Sequence, residues 1–312
     1  MTMRVAIIGS NGQLGYDLQR LLSGGGSGPA TQQAMHHEGA WQVIPLTHQD
    51  IEITNPGAVD NVLGGIHPHV VINTAAYHRV EDCEAEYARA FQVNGIGARN
   101  LAQTCQKLGA TLVHITTDYV FDGTKGEPYL EDDAPNPVNT YGVTKLAGEY
   151  FVKNLCQKHL IVRTSGLYGT MGCRAKGGNF IDTMLKLAQE KARPGRSEGS
   201  EIMVVGDQIV SPSYTLDVAG RIAELLTAQG YGIFHVTNSG QCSWHEFACK
   251  IFELAGVRVN VKKTSQEELR SKIKRPRYSV LSSSRLEALG LQPLRPWHEA
   301  LAAYMDERKA TR

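Results

Sequence analysis

Three side chains in the middle of the sequence, Thr117, Tyr141 and Lys145, have types and spacing that could carry acid–base chemistry. Tyr141 and Lys145 lie in the run YGVTK, and residues four apart share one face of a helix. A lysine cation favours the phenolate, so we expect Lys145 to lower the tyrosine pKa from about 10. Thr117 follows an apolar run that ends at Ile115, and its hydroxyl could hydrogen-bond a carbonyl oxygen. The three residues could therefore deliver a proton while hydride adds to a ketone.

A glycine-rich loop, GSNGQLG at residues 9–15, follows the first apolar run of the chain. Gly9, Gly12 and Gly15 suit a tight turn because they have no Cβ atom. A helix that begins in such a loop directs N–H groups toward an anion such as a pyrophosphate. The loop therefore predicts a dinucleotide site.

In many such sites, the residue at the end of the second apolar run determines the preference between NADH and NADPH. An acidic residue there would bind a ribose 2′-hydroxyl, and an arginine would favour a 2′-phosphate. The residues are Leu46, Thr47 and His48, so both cofactors stay open. Asp50 and Ile51 follow closely enough to flank an adenine ring.

Short apolar runs alternate with helix-period segments through the first half of the chain. The runs MRVAII, WQVIPL, HVVIN, TLVHI and LIVRT begin at residues 3, 41, 69, 111 and 160, and helical patterns cover 13–22 and 84–108. Strands buried on both faces that alternate with helices predict a parallel sheet covered on both sides. We predict an α/β fold, a Rossmann-type doubly wound parallel sheet with a smaller C-terminal substrate-binding domain.

The alternation loosens after residue 165. Residues 180–190 predict a helix and 202–215 predict strands and turns, whereas 23–40, 172–179 and 192–201 are polar and predict surface loops. We expect an NAD(P)-binding Rossmann domain over residues 1–165, to which a segment of about 202–229 returns. Residues 166–312 would then form the substrate-binding domain.

The composition limits the classes of partner. The 312 residues are 42% hydrophobic and carry a net charge of +1, which argues against nucleic acid or a membrane surface. No apolar run reaches about 18 residues and no signal-peptide pattern begins the chain, so we expect a cytoplasmic protein. The scattered cysteines predict reduced thiols, not a zinc site or a redox pair. His67 and His69, like the pair His36 and His37, lack further ligands nearby, so we predict no catalytic metal.

Longer motifs resemble one family closely. The chain is similar to the extended short-chain dehydrogenase/reductases and, within them, to the dTDP-4-dehydrorhamnose reductase family over nearly its whole length. The motifs that carry the resemblance are GSNGQLG at 9, HVVINTAAY at 69, TTDYVFDG at 116, PVNTYGVTKLAGE at 137, IVRTSGLYG at 161, GGNFIDTML at 177, DQIVSPSYT at 207 and KRPRYSVLSSSRLEALGL at 274. TDYVFDG and RPRYS are much more specific than the generic reductase motifs.

The resemblance implies both an activity and a set of site residues. It implies NADPH- or NADH-dependent reduction of the 4-keto group of dTDP-4-dehydro-6-deoxy-L-mannose to dTDP-L-rhamnose for surface polysaccharide. We expect this reaction to need no catalytic metal and the chain to be able to form a homodimer. Thr117, Tyr141 and Lys145 would be catalytic. Cofactor contacts are implied for Gly9, Asn11, Gly12, Gln13, Leu14, Gly15, Asp50, Ile51, Thr74, Ala75, Ala76, Tyr77, Asn94, Tyr141 and Lys145. Substrate contacts are implied for Thr117, Asp118, Val120, Phe121, Tyr141, Asn179, Phe180 and Arg275.

Two departures from the family pattern leave the sugar open. Gly166 stands where a tryptophan is common, which would widen the sugar pocket, and Val210 stands where glycine is frequent. In the basic cluster of Lys272, Lys274, Arg275 and Arg277, we expect at least Arg275 to bind the diphosphate of a nucleotide sugar.

The chain could instead reduce another nucleotide-linked 4-keto sugar. A third alternative is a non-catalytic binding protein similar to the regulatory β subunit of methionine adenosyltransferase. An epimerase or dehydratase is a weaker alternative, because a dehydratase needs a pair of acids beside the catalytic threonine.

Overall fold

The computed structural model describes residues 2–24, 41–171, 178–191 and 201–310. The elements of the first part are β1 (Met3–Ile8), α1 (Gln13–Leu22), β2 (Trp41–Leu46), α2 (Pro56–Ile66), β3 (Val70–Asn73), α3 (Val80–Ala85), α4 (Tyr87–Phe91), a π-helix (Gln92–Gly97), α5 (Ala98–Leu108), β4 (Thr111–Thr117), a 3-10 turn (Asp118–Val120), α6 (Thr140–Leu155) and β5 (His159–Thr164). The elements of the second part are β6 (Leu167–Tyr168), α7 (Phe180–Lys191), β7 (Ile202–Val205), β8 (Ile209–Val210), β9 (Ser213–Tyr214), α8 (Thr215–Ala228), β10 (Gly232–His235), β11 (Asn238–Ser239), β12 (Cys242–Ser243), α9 (Trp244–Ala255), β13 (Val261–Thr264), α10 (Ser284–Ala288), β14 (Leu294–Pro296) and α11 (Trp297–Ala310).

The main sheet is a six-stranded parallel sheet in the order β10-β5-β4-β3-β1-β2. Successive side chains of a strand point to opposite faces, so Val5 and Ile7 enter one hydrophobic cluster while Ala6 and Ile8 enter another. Helices α1 and α8 cover the first face, and α2 and α5 cover the second. The predicted doubly wound α/β fold is confirmed.

The predicted helical stretch at 84–108 is not one helix. The chain leaves helical geometry at Glu86, where φ is −118° and ψ is 48°. It becomes helical again in α4 and then widens into the π-helix at Gln92–Gly97. Close packing accompanies the wide turn, because a Cβ atom at Gly97 would lie 2.7 Å from the Ile53 side chain. The single-helix prediction was therefore wrong at this position.

The other predicted elements agree with the structure at most boundaries. The runs at 3 and 41 form β1 and β2 as expected, and the helix expected at 180–190 is α7. β4 extends past the predicted end at Ile115 and takes Thr116 and Thr117 into the strand. Of the predicted loops, residues 25–40, 172–177 and 192–200 lie outside the described residues.

The second part of the chain contributes to both regions of the molecule. Helix α8 packs on α1, and β10 pairs with β5 at the edge of the main sheet. β7 pairs instead with β13, next to a separate hydrophobic cluster that includes Tyr168, Tyr214 and Phe247. We expected the segment of about 202–229 to return to the main sheet. Of this segment only helix α8 packs against the sheet. Strand β10, which follows the segment, then pairs with the sheet's edge. The division into two domains remains a proposal.

Within the described ranges, none of the helices combines the length and the apolar character needed to cross a membrane. In the same ranges, no group of three or more His, Cys, Asp or Glu side chains is arranged to hold a metal ion. The cysteines found there, Cys83, Cys105, Cys156, Cys242 and Cys249, are free thiols.

Candidate active site

The glycine loop after β1 is built so that side chains cannot enter it. Gly9 has a φ of +77°, and a Cβ atom there would lie 2.7 Å from Thr74 Oγ1 and 2.9 Å from the Ala75 nitrogen. A Cβ atom at Gly15 would lie 2.4 Å from the Gly9 carbonyl oxygen. Both glycines are therefore required by close backbone approach.

The first turn of α1 is arranged to receive an anion. Gly12 is its N-cap residue and places no side-chain oxygen over the helix end, so no side chain caps this turn. An uncapped helix N-terminus carries a partial positive charge and directs N–H groups outward. Together with the loop that excludes side chains, this end of α1 fits the pyrophosphate of a dinucleotide.

Several predicted cofactor residues hold the loop in place with their polar atoms. The Thr74 hydroxyl donates to the carbonyl oxygens of Ile8 (2.8 Å) and Gly9 (3.1 Å). Asp50 accepts from the Thr47 nitrogen and hydroxyl, which closes the turn after β2. Ile51 is buried in a hydrophobic cluster of the main sheet. These side chains therefore support the shape of the site.

Asn94, in the π-helix, links two neighbouring segments. Its side-chain oxygen accepts from the Tyr77 nitrogen (2.9 Å), and its amide nitrogen donates to the Tyr77 carbonyl (2.9 Å) and the Thr144 hydroxyl (3.0 Å). It thereby joins the chain after β3, which contains Ala75 and Ala76, to α6. A contact between Asn94 and the cofactor remains a prediction.

The three predicted catalytic residues meet at the carboxyl end of the sheet. Thr117 is the last residue of β4, and it pairs with Thr164 at the end of β5. Tyr141 lies in the first turn of α6, and interaction with the Thr117 side chain lowers its pKa. Lys145, one turn further on, donates from Nζ to the Ile115 carbonyl oxygen at 2.7 Å. All three side chains therefore gather within a few residues of the end of β4.

The electrostatics of Tyr141 differ from the expectation. Burial raises the pKa of the Tyr141 phenol well above its usual value, and the nearby Asp118 charge raises it further, while the hydrogen bond with Thr117 lowers it. Burial also lowers the pKa of Lys145 to about 8, so this amine gives up its proton more readily than an exposed lysine does. The expectation that Lys145 lowers the tyrosine pKa was therefore wrong for this structure. A protonated phenol is the form that can donate to a ketone oxygen.

Asp118, predicted as a substrate contact, is buried and bonded to protein hydroxyls. One carboxylate oxygen accepts from Thr117 at 3.0 Å, and the other accepts from Ser165 at 2.8 Å and Ser279 at 2.6 Å. Burial raises the pKa of Asp118, and the three hydroxyl donors oppose that effect. Asp118 therefore ties β4 to β5 and to the segment around Ser279.

The side chains of Val120 and Phe121 lie in the protein interior. Both are fully buried with Tyr129 and Leu281, and the Phe121 ring stacks on Tyr129 with 4.1 Å between ring centroids. The Arg163 guanidinium lies over the Phe121 ring, 5.1 Å from its centroid. Any contact of Val120 or Phe121 with a substrate would therefore have to come from the backbone.

The remaining predicted substrate residues belong to the second part of the chain. The Asn179 side chain accepts from the Asp182 nitrogen at 3.0 Å and donates to the Gly169 carbonyl at 3.2 Å, so it fixes the start of α7. Phe180 packs against Trp244 with 4.7 Å between ring centroids. Arg275 pairs with Glu81 of α3, whereas Lys272, Lys274 and Arg277 are exposed.

Gly166 does not open a gap beside the site. It has a φ of +54°, and a Cβ atom there would lie 3.2 Å from Pro212 Cα and 3.4 Å from the Trp244 ring. Pro212 and Trp244 fill the space next to the glycine itself, and a sugar pocket wider than that of a relative with tryptophan here stays a prediction. The positive φ also favours glycine at this position.

Comparison with known proteins identifies the family. A family model described as RmlD substrate binding domain matches residues 3–310. The chain belongs to this RmlD family. The predicted resemblance to dTDP-4-dehydrorhamnose reductases is confirmed.

Individual RmlD relatives match along almost the entire chain. The spore coat polysaccharide biosynthesis protein SpsK of Bacillus subtilis (strain 168) is 39% identical over 98% of this chain and 98% of its own length. A dTDP-4-dehydrorhamnose reductase of Streptomyces griseus is 38% identical over 96% of this chain and 91% of its own. The crystal structure of the Bacillus anthracis str. Ames dTDP-4-dehydrorhamnose reductase, in complex with NADP, has a TM-score of 0.87 and 41% identity, covering 98% of this chain and 100% of that one.

Some residues of the candidate site have no simple signal in the sequence. Ser165 and Ser279 contact the same carboxylate oxygen although they are far apart in the chain. Asn139 caps α6 by accepting from the Gly142 nitrogen at 2.9 Å, and it also donates to the Lys274 carbonyl at 3.0 Å. The asparagine before a predicted helix is a capping signal, but its second partner depends on tertiary structure.

Proposed function

We propose that this chain is an NADPH-dependent reductase that converts the 4-keto group of dTDP-4-dehydro-6-deoxy-L-mannose to the alcohol of dTDP-L-rhamnose. The observation that carries the proposal is the meeting of Thr117, Tyr141 and Lys145 at the carboxyl end of β4. This edge of a parallel sheet is where α/β proteins bind ligands. Family membership and the names of the relatives support the same reaction.

The residues around the glycine loop would hold the cofactor. Gly9, Gly12 and Gly15 let the backbone approach the pyrophosphate, and the end of α1 supplies N–H donors and a partial positive charge. The bound nicotinamide cofactor supplies the hydride that adds to the sugar C4. NADPH is the first choice because the Bacillus anthracis relative was solved with NADP. NADH remains the comparison to measure.

Tyr141 would provide the proton. As the carbonyl carbon gains hydride, its oxygen takes the phenol proton and becomes the hydroxyl of the product. The raised pKa of Tyr141 keeps that proton in place before the reaction. Lys145 lies one turn away in α6, where its amine would contact the nicotinamide ribose.

Arg275 would bind the diphosphate of the sugar nucleotide. Its guanidinium already pairs with the Glu81 carboxylate and donates to the Ser271 hydroxyl at 3.1 Å. A diphosphate also offers anionic oxygens that a guanidinium can bind with two hydrogen bonds, so it could replace Glu81 as the partner. A cytoplasmic location and assembly as a homodimer are further parts of this proposal.

The test is consumption of NADPH with the keto sugar, which can be generated from dTDP-glucose by a dehydratase and an epimerase. We expect oxidation of NADPH that requires the epimerase. Tyr141→Phe should fold and bind NADPH but lose about 10²- to 10⁴-fold in kcat. Wild-type turnover in this variant would contradict the mechanism, and a wild-type chain that binds NADPH without reducing this sugar would contradict the proposed substrate.

A further inference from the structure

The segment 274–279 lies directly on the catalytic end of the sheet. The Lys274 carbonyl accepts from Asn139, the N-cap of α6, at 3.0 Å. Pro276 lies so close to Gly123 that a Cβ atom on the glycine would be 2.6 Å from Pro276 Cα. Two backbone hydrogen bonds with Ile209 flank Tyr278: Ile209 donates to the Arg277 carbonyl, and Ser279 donates to the Ile209 carbonyl. This segment is therefore fixed to the residues that carry the chemistry.

Ser279 ends this segment inside the protein, at the Asp118 carboxylate. It is 1% exposed, and its hydroxyl donates to Asp118 Oδ2 at 2.6 Å. Ser165, which follows β5, donates to the same oxygen at 2.8 Å. With two donors on Oδ2, the carboxylate has a fixed orientation, and Oδ1 accepts from the Thr117 hydroxyl at 3.0 Å.

The direction of these hydrogen bonds determines what Thr117 offers to its neighbours. A threonine hydroxyl has one proton and two lone pairs. An ionised carboxylate can only accept, so the Thr117 proton is used in the bond to Asp118. Thr117 also accepts from the Tyr119 nitrogen at 3.2 Å. The Thr117 hydroxyl is therefore held between the Asp118 carboxylate and the Tyr119 nitrogen.

We propose that Ser279 and Asp118 are positioning residues for the reduction: Ser279 fixes the Asp118 carboxylate, and this carboxylate holds the Thr117 hydroxyl in one orientation at the end of β4. This inference rests on the proposed function and extends it. It assigns Asp118 a role other than contact with the sugar. It also makes the orientation of the Thr117 hydroxyl depend on Ser279, which lies 161 positions from Asp118 along the chain.

The experiment compares Ser279→Ala with wild type in the NADPH-oxidation assay. A hydrogen bond to a charged group is a strong one, so we expect kcat to fall about tenfold or more. The dissociation constant for NADPH and the KM for the sugar should change less than twofold. Ser279→Thr, which keeps a hydroxyl, should restore kcat. Ser165→Ala removes the other donor to the same oxygen and should lower kcat in the same way.

Ser211→Ala is the matched control. Ser211 is also 1% exposed and donates to a carbonyl oxygen, that of Gly240 at 2.9 Å, but it does not contact Asp118. A merely structural role for Ser279 predicts that Ser279→Ala and Ser211→Ala both lower the melting temperature and leave kcat unchanged, which would overturn the proposal. Loss of kcat in Ser279→Ala and Ser165→Ala, with kcat unchanged in Ser211→Ala, supports it. A wild-type chain with no keto-sugar reduction is a different result, because it contradicts the proposed function itself.

Discussion

The amine of Lys145 occupies a position that is unfavourable for a charge. The residue is 1% exposed, and its Nζ donates to one carbonyl oxygen, that of Ile115. Burial lowers its pKa from 10.5 to about 8. A group that holds its proton less firmly in the folded state destabilises the fold while it is charged. Below about pH 8 the folded chain bears this cost in full, and the cost disappears as the pH rises to 10.5.

Replacement of Lys145 should therefore stabilise the protein and inactivate it. We expect Lys145→Met to raise the free energy of unfolding at pH 7 by up to about 3 kcal/mol, from a pKa shift of roughly two units. The gain should fall to a few tenths of a kcal/mol near pH 10.5, where the amine is neutral in the folded chain and about half protonated in the unfolded chain. Urea unfolding of both proteins at the two pH values measures the difference. An equal gain at both values would show that packing, not charge, is responsible.

At the scale of elements, α1 and α8 are joined by a buried acid. Asp17 of α1 is fully buried, and the Thr215 hydroxyl at the start of α8 donates to one of its oxygens. The other carboxylate oxygen is buried with no hydrogen-bond partner among the described residues. Burial raises the pKa of Asp17 to about 6. Stability should accordingly fall as the pH rises from about 4 through 6, because the buried group loses its proton.

Asp17→Asn tests this contact between α1 and α8. The amide keeps an oxygen that can accept from Thr215 but carries no charge at any pH. We expect the variant to be more stable than wild type at pH 8 by up to about 3 kcal/mol, and equally stable near pH 3.5. Thermal or urea unfolding at these two pH values gives the comparison. A variant that is less stable at pH 8 would mean that the charged form has a stabilising partner.

The sheet strands were predictable from sequence because their burial is nearly complete. Val70, Val71 and Ile72 form a continuous apolar run, and all three are buried in the sheet. The break at Glu86 and the π-helix were not predictable, since the apolar period continues across them. The π-helix places Asn94 against Tyr77 and Thr144, contacts that depend on tertiary structure and not on the local pattern.

The position of the candidate catalytic pair was predictable for a local reason, and its environment was not. Tyr141 and Lys145 share one helix face, so their spacing alone brings them together. The pKa of Tyr141 depends on burial and on Asp118, neither of which the spacing contains. The contact of Ser279 with Asp118 joins two parts of the chain that no periodic pattern relates.

At the scale of the whole molecule, the hydrophobic clusters stabilise different regions of the fold. Two clusters line the faces of the main sheet, and a third packs α7, α9 and α11 around Tyr168, Tyr214 and Phe247. Leu216 packs against both the first and the third. Helix α11 also pairs with α1 through Glu307 and Arg20. The last helix therefore connects the third cluster to the helix of the glycine loop.

Leu301→Ala should show how much of the stability depends on α11. Leu301 is 0% exposed in the third cluster, so its truncation should lower the free energy of unfolding by about 2–5 kcal/mol. Leu289→Ala is the control, because Leu289 is 44% exposed and should change the value by less than about 0.5 kcal/mol. Urea unfolding measures both. Similar losses in the two variants would contradict the position of Leu301 in a packed core.

The π-helix at Gln92–Gly97 has a consequence for the alignment of relatives. A turn of π-helix uses about one residue more than a turn of α-helix over a similar rise. A homologue that lacks the wide turn would show a one-residue gap here, and the placement of that gap determines which of its residues is matched to Asn94. An alignment that moves the gap outside 92–97 would assign the wrong side chain to the position that holds Tyr77 and Thr144 together.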